Sequence, residues 1–162
     1  GLLERVCEQG VVVVCAAGNK GPGEGTLSPL GESRRVITVG CHEGGYFGAR
    51  KDLCENYSGR GREDLPYRKP DLVAPGTDVV SCNLTWYRDR RGVYRDPYTK
   101  KSGTSMATPI VSGAAALYLQ KYPYSNRSQV KRQMIYTARD LGIEWNRQGW
   151  GMLDIQNLCR YY

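Results

Sequence analysis

The sequence predicts an α/β fold built around a buried parallel sheet. Residues 10–17 form a continuous apolar run that is rich in valine, which is typical of a strand covered on both faces. A second run of this kind spans residues 36–39 and is followed by Gly40. Residues 104–119 carry apolar side chains at helical spacing, which predicts a long helix after the strands.

The other elements are delimited by glycine, proline and capping residues. Apolar side chains at helical spacing in residues 2–7 predict the end of a helix, and the glycines and prolines of residues 20–35 predict a loop. Short strands are expected at residues 71–74 and 79–82. Residues 83–101 predict a hairpin or an excursion, whose aromatic side chains either line a groove or cover an exposed edge.

The chain after the long helix predicts two shorter helices. Pro123 ends the long helix, and Ser125 or Asn126 caps the next one. The apolar face of that helix continues to Leu141, so we expect the helix to end near Gly142. Residues 153–159 predict a short last helix.

Length and composition favour a single globular domain. The 162 residues are enough for a substantial core, and 40% of them are hydrophobic. No apolar run approaches the roughly 18 residues that cross a membrane, so we expect no membrane partner. The first residues lack the layout of a signal peptide and resemble a helix without its beginning, so we expect residues 1–162 to belong to a longer chain.

The net charge of +7 raises the hypothesis of a nucleic-acid partner. The basic residues are scattered along the chain, however, and no nucleic-acid recognition motif accompanies them. We therefore interpret the charge as a solvated basic surface and expect no nucleic acid to bind.

The six cysteines favour neither a metal site nor a particular disulfide pattern. None of them forms a Cys-x-x-Cys motif, and His42 is the only histidine that could join them as a ligand. We expect no metal and no cofactor. In the absence of a secretion signal we expect reduced thiols, which slightly favours a cytoplasmic location, whereas a signal further upstream would make the protein secreted.

Ser105 is the candidate nucleophile. It follows Gly103 and Thr104 and lies in the first turn of the predicted long helix. The unpaired N–H groups and the dipole of that turn would stabilise a developing negative charge. Pro109 is tolerated so near the helix start, because few intrahelical hydrogen bonds are lost. The alternative is that Gly-Thr-Ser only caps a core helix.

Asn19 is a candidate hydrogen-bond donor to a substrate. It comes directly after Gly18 at the end of the first predicted strand, and ligands gather at the carboxyl ends of strands in open parallel sheets. The Asn19 amide is therefore placed to donate a hydrogen bond to a substrate. The alternative is that Gly18 and Asn19 only form a turn.

Four segments, taken in chain order, resemble the subtilisin-like serine proteases, or subtilases. Gly103-Thr-Ser-Met-Ala-Thr-Pro109 is similar to the nucleophile signature of that family, and residues 11–19 are similar to the strand that carries its oxyanion-hole asparagine. Residues 36–40 and 70–76 resemble two further shared segments. The resemblance covers essentially the whole chain.

The resemblance implies a three-layer α/β/α fold with a mostly parallel sheet, of which this chain is the C-terminal half of a single catalytic domain. It implies that Ser105 is the nucleophile and that the Asn19 side chain and the Ser105 N–H donate to the oxyanion. Ala17 and Gly18 would form one wall of the substrate cleft. Calcium is common in the family, but no acidic cluster in this sequence supports a calcium site.

The resemblance also implies that the catalytic aspartate and histidine precede residue 1. A substitute triad of His42, Asp71 or Asp78, and Ser105 is rejected, because Ser105 lacks the Gly-Asp-Ser-Gly context of chymotrypsin-like enzymes and the strand pattern does not fit a β-barrel. We therefore expect essentially no proteolysis by the chain alone. We expect it to pair with its N-terminal half, or to form a homodimer through an exposed sheet edge.

Two functions follow from these observations. The first is a serine endopeptidase that cleaves peptide or protein substrates, and the second is a non-catalytic pseudoprotease or peptide-binding module on the same scaffold. An α/β-hydrolase is disfavoured, because its Gly-x-Ser-x-Gly motif would require glycine where Ala107 stands and a hydrophobic strand directly before Ser105.

Overall fold

The computed structural model describes residues 1–160 and contains a central parallel sheet. Its strands lie in the order β1-β2-β3, and they are β1 (Val14–Ala16), β2 (Ile37–Cys41) and β3 (Leu72–Ala74). Val14 pairs with Ile37, and Val39 pairs with Leu72. The sheet and its helices confirm the predicted α/β fold class.

The helices of residues 1–160 are α1 (Leu2–Glu8), α2 (Thr104–Lys121), α3 (Arg127–Thr137), α4 (Trp145–Gln148) and α5 (Ile155–Leu158), with a short 3₁₀ turn at Cys54–Asn56. The apolar face of α2 packs on all three strands, with Ala107, Val111 and Ala114 fully buried or nearly so. Val130 and Met134 of α3 complete this core. No helix in the described part of the chain is long and apolar enough to cross a membrane.

The predicted hairpin between residues 83 and 101 is confirmed. Strand β4 (Val79–Cys82) pairs antiparallel with β7 (Tyr98–Lys101), and β5 (Tyr87–Arg88) pairs with β6 (Tyr94–Arg95) further along the hairpin. A groove of about 590 Å³ lies between this hairpin and α2, and it is lined by aliphatic and polar residues that include Val80, Leu84 and Met106. The hairpin aromatics line neither this groove nor the core.

Two predicted boundaries were wrong. The first strand is much shorter than residues 10–17. Its side chains are half-buried because β1 is an edge strand, which among residues 1–160 pairs with β2 alone. Helix α3 ends at Thr137 instead of near Gly142, because Ala138 is extended and Arg139 exchanges two backbone hydrogen bonds of 2.8 Å with Met152. Asn126 caps α3, since its side chain accepts the N–H groups of Ser128 and Gln129.

The expectation of reduced thiols was wrong for one pair of cysteines. Cys41, at the end of β2, and Cys54, at the start of the 3₁₀ turn, form a disulfide across 13 residues. Closing a loop of about that size stabilises a fold by roughly 3 kcal/mol in the chain-entropy account. The four other cysteines, which are Cys7, Cys15, Cys82 and Cys159, are free. No cluster of metal-ligating side chains occurs in residues 1–160.

Asp71 is the centre of a buried charge cluster. Its Oδ2 accepts hydrogen bonds from the Thr38 N–H and from Lys69 Nζ, each at 2.7 Å, and its Oδ1 lies 2.8 Å from Lys131 Nζ. Lys69 is only 1% exposed. Burial lowers the pKa of Lys69 to about 8, and the Asp71 charge opposes this shift. The cluster ties β2 to β3 and to α3.

We expect Asp71→Asn to lower the free energy of unfolding of the protein by about 3–5 kcal/mol, because two lysine ammonium groups would lose their shared counter-charge in a buried site. Urea denaturation followed by circular dichroism measures the change. Asp64→Asn is the matched control, since Asp64 forms an exposed ion pair with Arg62. Its expected cost is below about 1 kcal/mol, and an equally small cost for Asp71→Asn would contradict the prediction.

Candidate active site

Ser105 is the second residue of α2, and its side chain is exposed. The chain enters the helix through Gly103, whose φ of 143° is rarely adopted by other residues. Met106 N–H donates to the Gly103 carbonyl at 2.9 Å, whereas among residues 1–160 the Ser105 N–H and the Ser105 hydroxyl have no hydrogen-bond partner. Both groups are therefore available to a ligand at the start of α2.

Asn19 lies against this helix start. Its Oδ1 accepts hydrogen bonds from the backbone N–H and the hydroxyl of Thr104, each at 3.0 Å. Because the Thr104 N–H can only donate, the carbonyl oxygen of Asn19 must face it, and the Nδ2 amide is left on the other side. A Cβ at Gly103 would lie 3.1 Å from Asn19 Nδ2. The structure thus brings the Asn19 amide and the Ser105 turn together.

Thr104 is the residue that joins the strand end to the helix, and sequence reasoning missed it. Its side chain is fully buried, and its hydroxyl also accepts the Gly18 N–H at 3.2 Å. Gly18 and Asn19, which follow the end of β1, are therefore both hydrogen-bonded to the first residue of α2. The sequence pointed to Thr104 through its position between Gly103 and the candidate nucleophile Ser105.

Ala17 and Gly18 lie directly behind Asn19. Ala17 is fully buried, its N–H donates to Val39 at 2.8 Å, and its carbonyl accepts the Ser28 N–H at 2.7 Å. The Gly18 carbonyl accepts the Gly59 N–H at 2.7 Å. These backbone groups already have hydrogen-bond partners within the protein. A ligand can therefore contact the two residues mainly through the surface of the half-buried Gly18.

Glu43 supports the helix start from the other side, and it too was missed. Its Oε1 accepts the N–H groups of Gly76 and Thr77 at 3.0 and 2.8 Å. The Gly76 carbonyl accepts the Gly103 N–H at 2.9 Å, and Gly76 is packed so closely against Cys41 and Gly103 that a side chain would not fit. Glu43 follows the end of β2, so the strand-end rule that selected Asn19 could have found it.

The three residues of the rejected substitute triad have partners elsewhere. His42 Nδ1 accepts the Gly44 N–H at 2.9 Å and lies 3.5 Å from Glu55, and burial lowers the pKa of His42 although Glu55 opposes the shift. Asp71 is held by two lysines, and Asp78 pairs with Arg50 at 3.1 Å. None of the three side chains hydrogen-bonds to Ser105 within the described residues.

The parallel α/β fold and the exposed serine at a helix start, beside an asparagine amide, form an arrangement of the kind that serine hydrolases use. The sequence profile of the Subtilase family matches residues 3–151. The chain belongs to the Subtilase family.

Three curated relatives illustrate this membership. The chain is 37% identical to Serine protease AprX of Bacillus subtilis (strain 168) over 134 residues, which cover 80% of this chain and 30% of the relative. It is 32% identical to Subtilisin DY of Bacillus licheniformis over 157 residues, which cover 95% and 48%. Its identity to the Extracellular serine proteinase of Thermus sp. (strain Rt41A) is 39% over 129 residues, which cover 80% and 26%. The chain thus spans less than half the length of each of these relatives.

Proposed function

We propose that residues 1–162 are the C-terminal portion of a subtilase catalytic domain and that the complete protein is a serine endopeptidase. The observation that carries the proposal is the Asn19 amide held at the start of α2, because Thr104 fixes its orientation through two 3.0 Å hydrogen bonds. An amide donor held beside a nucleophile is what acyl transfer requires.

In the proposed reaction Ser105 Oγ attacks the carbonyl carbon of the scissile peptide bond. The carbonyl electron pair moves to oxygen, and the resulting oxyanion accepts hydrogen bonds from Asn19 Nδ2 and the Ser105 N–H. The proton of the Ser105 hydroxyl passes to a base and then to the departing amine as the C–N bond breaks. Water subsequently releases the acyl group from Ser105.

The base must come from outside these residues. His42 is the only histidine of the sequence, and it is engaged by Gly44 and Glu55. We infer that an N-terminal half supplies the catalytic histidine and aspartate and that the chain alone is inactive. The outer edge of β1 has no partner among residues 1–160, so it is a place where the N-terminal half could extend the sheet. A homodimer through the same edge is the alternative.

We also propose that the protein is secreted. The disulfide between Cys41 and Cys54 favours an oxidising compartment. Two of the relatives are named as extracellular, from Thermus sp. (strain Rt41A) and from Serratia marcescens. These observations do not support the cytoplasmic location that cysteine usage suggested.

Labelling with a serine-directed phosphonate tests the proposal. We expect the full-length protein to form a covalent adduct at Ser105, detected by mass spectrometry, and to cleave peptides. The isolated 162-residue chain should form no adduct. Reversible peptide binding by a full-length protein that is neither labelled nor hydrolytic would instead identify a non-catalytic peptide-binding module.

A further inference from the structure

Residues 83–101 form a hairpin that we call the basic arm. It carries six cationic side chains and two carboxylates, so it holds +4 of the net charge of +7 in a small part of the chain. Although the 23 lysine and arginine residues are spread along the chain, more than half of its net charge lies in this hairpin. The hairpin is next to the candidate nucleophile, because β7 ends at Lys101 and α2 begins at Thr104.

Most of the arm's cations are available to a partner. Arg95 is paired with Asp89 at 2.9 Å, and Arg88 donates to the Gly92 carbonyl at 2.9 Å. In contrast, four exposed cationic side chains have no ion pair or hydrogen bond within residues 1–160, and they are those of Arg90, Arg91, Lys100 and Lys101. The arm thus presents unneutralised positive charge to solvent.

Aromatic side chains accompany these cations. Trp86, Tyr87 and Tyr94 are 50–57% exposed, and Tyr98 is 66% exposed. Trp86 and Tyr94 pack together across the hairpin with their ring centroids 5.4 Å apart. Exposed aromatic surface of this kind marks an interaction site in soluble proteins, and here it lies beside free cations.

The base of the arm is fixed relative to Ser105. Strands β4 and β7 pair along four residues, from Val79 with Lys101 to Cys82 with Tyr98. Asp78 N–H donates to Ser102 Oγ at 2.9 Å, and Gly103 N–H donates to Gly76 at 2.9 Å. Residues 93–101 span at most roughly 30 Å when extended. A polypeptide bound at Ser105 can therefore meet the arm within several residues of the scissile bond.

We propose that the basic arm binds acidic segments of polypeptide substrates beside the bond that Ser105 attacks. This inference rests on the proposed endopeptidase function. Glutamate and aspartate carboxylates would pair with Arg90, Arg91, Lys100 and Lys101, since arginine guanidinium groups bind carboxylates through two parallel hydrogen bonds. The aromatic faces would pack on the aliphatic parts of the bound segment. A polypeptide is favoured over a lipid surface or a nucleic acid because the last strand of the arm leads directly into the turn that carries Ser105.

The test compares two peptides that share one cleavage site and differ only in a flanking run of glutamate or of glutamine. We expect the full-length protein to show a kcat/KM about tenfold higher for the glutamate peptide at low salt, and the preference to shrink as salt screens the charges. Arg90→Glu with Arg91→Glu should remove the preference while the glutamine peptide is cleaved as before. Lys51→Glu with Arg132→Glu, an equal charge change at exposed sites outside the arm, should keep it.

Binding of a fluorescent glutamate-rich peptide to the full-length Ser105→Ala variant, followed by anisotropy, separates the two proposals. Arm-dependent binding to this variant, together with no hydrolysis of either peptide by the native full-length protein, would overturn the endopeptidase function and leave the arm as an acidic-peptide site. Hydrolysis of both peptides at equal rates would overturn the arm proposal alone. Equal or tighter binding of anionic phospholipid vesicles or of a single-stranded oligonucleotide, without glutamate preference, would also overturn it.

Discussion

Ser105→Ala in the full-length protein is expected to reduce kcat for peptide hydrolysis by about 10⁶-fold, a magnitude known from loss of the nucleophile in subtilisin. The reason is that Ser105 supplies the oxygen of the acyl bond in the proposed reaction, and the neighbouring hydroxyl of Thr104 is buried and hydrogen-bonded to Asn19. Steady-state cleavage of a fluorogenic peptide measures the loss, and phosphonate labelling should disappear with it.

Ser112→Ala is the matched control for this substitution. Ser112 is also an exposed serine of α2, but its hydroxyl only donates to the Thr108 carbonyl one turn earlier, at 3.1 Å. Ser112→Ala should keep kcat within about twofold of the native value, since substitutions at exposed helix positions usually have small effects. A Ser105→Ala variant that hydrolyses peptide at the native rate would exclude Ser105 as the nucleophile.

Asn19→Asp is expected to lower kcat by at least about 10²–10³-fold with little change in KM, the range known for loss of such an oxyanion donor in subtilisin. Aspartate has nearly the same shape and keeps the oxygen that accepts from Thr104, so the strand end stays attached to α2. What it loses is the amide N–H, and its charge would also repel the oxyanion. An effect on kcat alone separates this role from ground-state binding.

Thr104→Ser tests the alternative that Asn19 only holds the start of α2 in place and does not donate to the oxyanion. Serine keeps the hydroxyl that bonds to Asn19 and Gly18, so kcat should fall by no more than about threefold. If Asn19→Asp also stayed within threefold of the native kcat, Asn19 would be a positioning residue and not an oxyanion donor. Thermal unfolding of both variants checks that the fold is retained.

Local patterns predicted the elements of the fold better than their ends. Strands formed at the apolar runs of residues 36–39 and 71–74, and a helix formed at the apolar repeat after Gly103. These patterns are informative because each places its apolar side chains where the element is buried. The end of α3 was predicted too late, because the backbone pairing of Arg139 with Met152 outweighs the helical pattern that continues to Leu141. Such pairing between distant segments leaves no periodic signal.

Two general rules singled out Asn19 and Ser105 separately: strand ends in parallel sheets collect ligands at one edge, and helix starts stabilise negative charge. The pairing of the two residues was implied by the resemblance to subtilases. The buried hydroxyl of Thr104 was beyond those rules, whereas the strand-end rule could have selected Glu43 but not its contacts with Gly76 and Thr77. Each acts through contacts with residues far away in the chain, and a single side chain in a sequence does not indicate its distant partners.

The sequence by itself determined the α/β class, the serine at the start of a long helix and the resemblance to subtilases, because strand and helix periodicity and a compact motif are properties of neighbouring residues. Only the tertiary structure decided that Cys41 pairs with Cys54, that Asp71 binds Lys131 of α3, and that four cationic side chains of the hairpin preceding Ser105 have no partner among residues 1–160. The physical reason is that these contacts depend on how strands, turns and helices pack against each other, and packing joins residues that are separated along the chain.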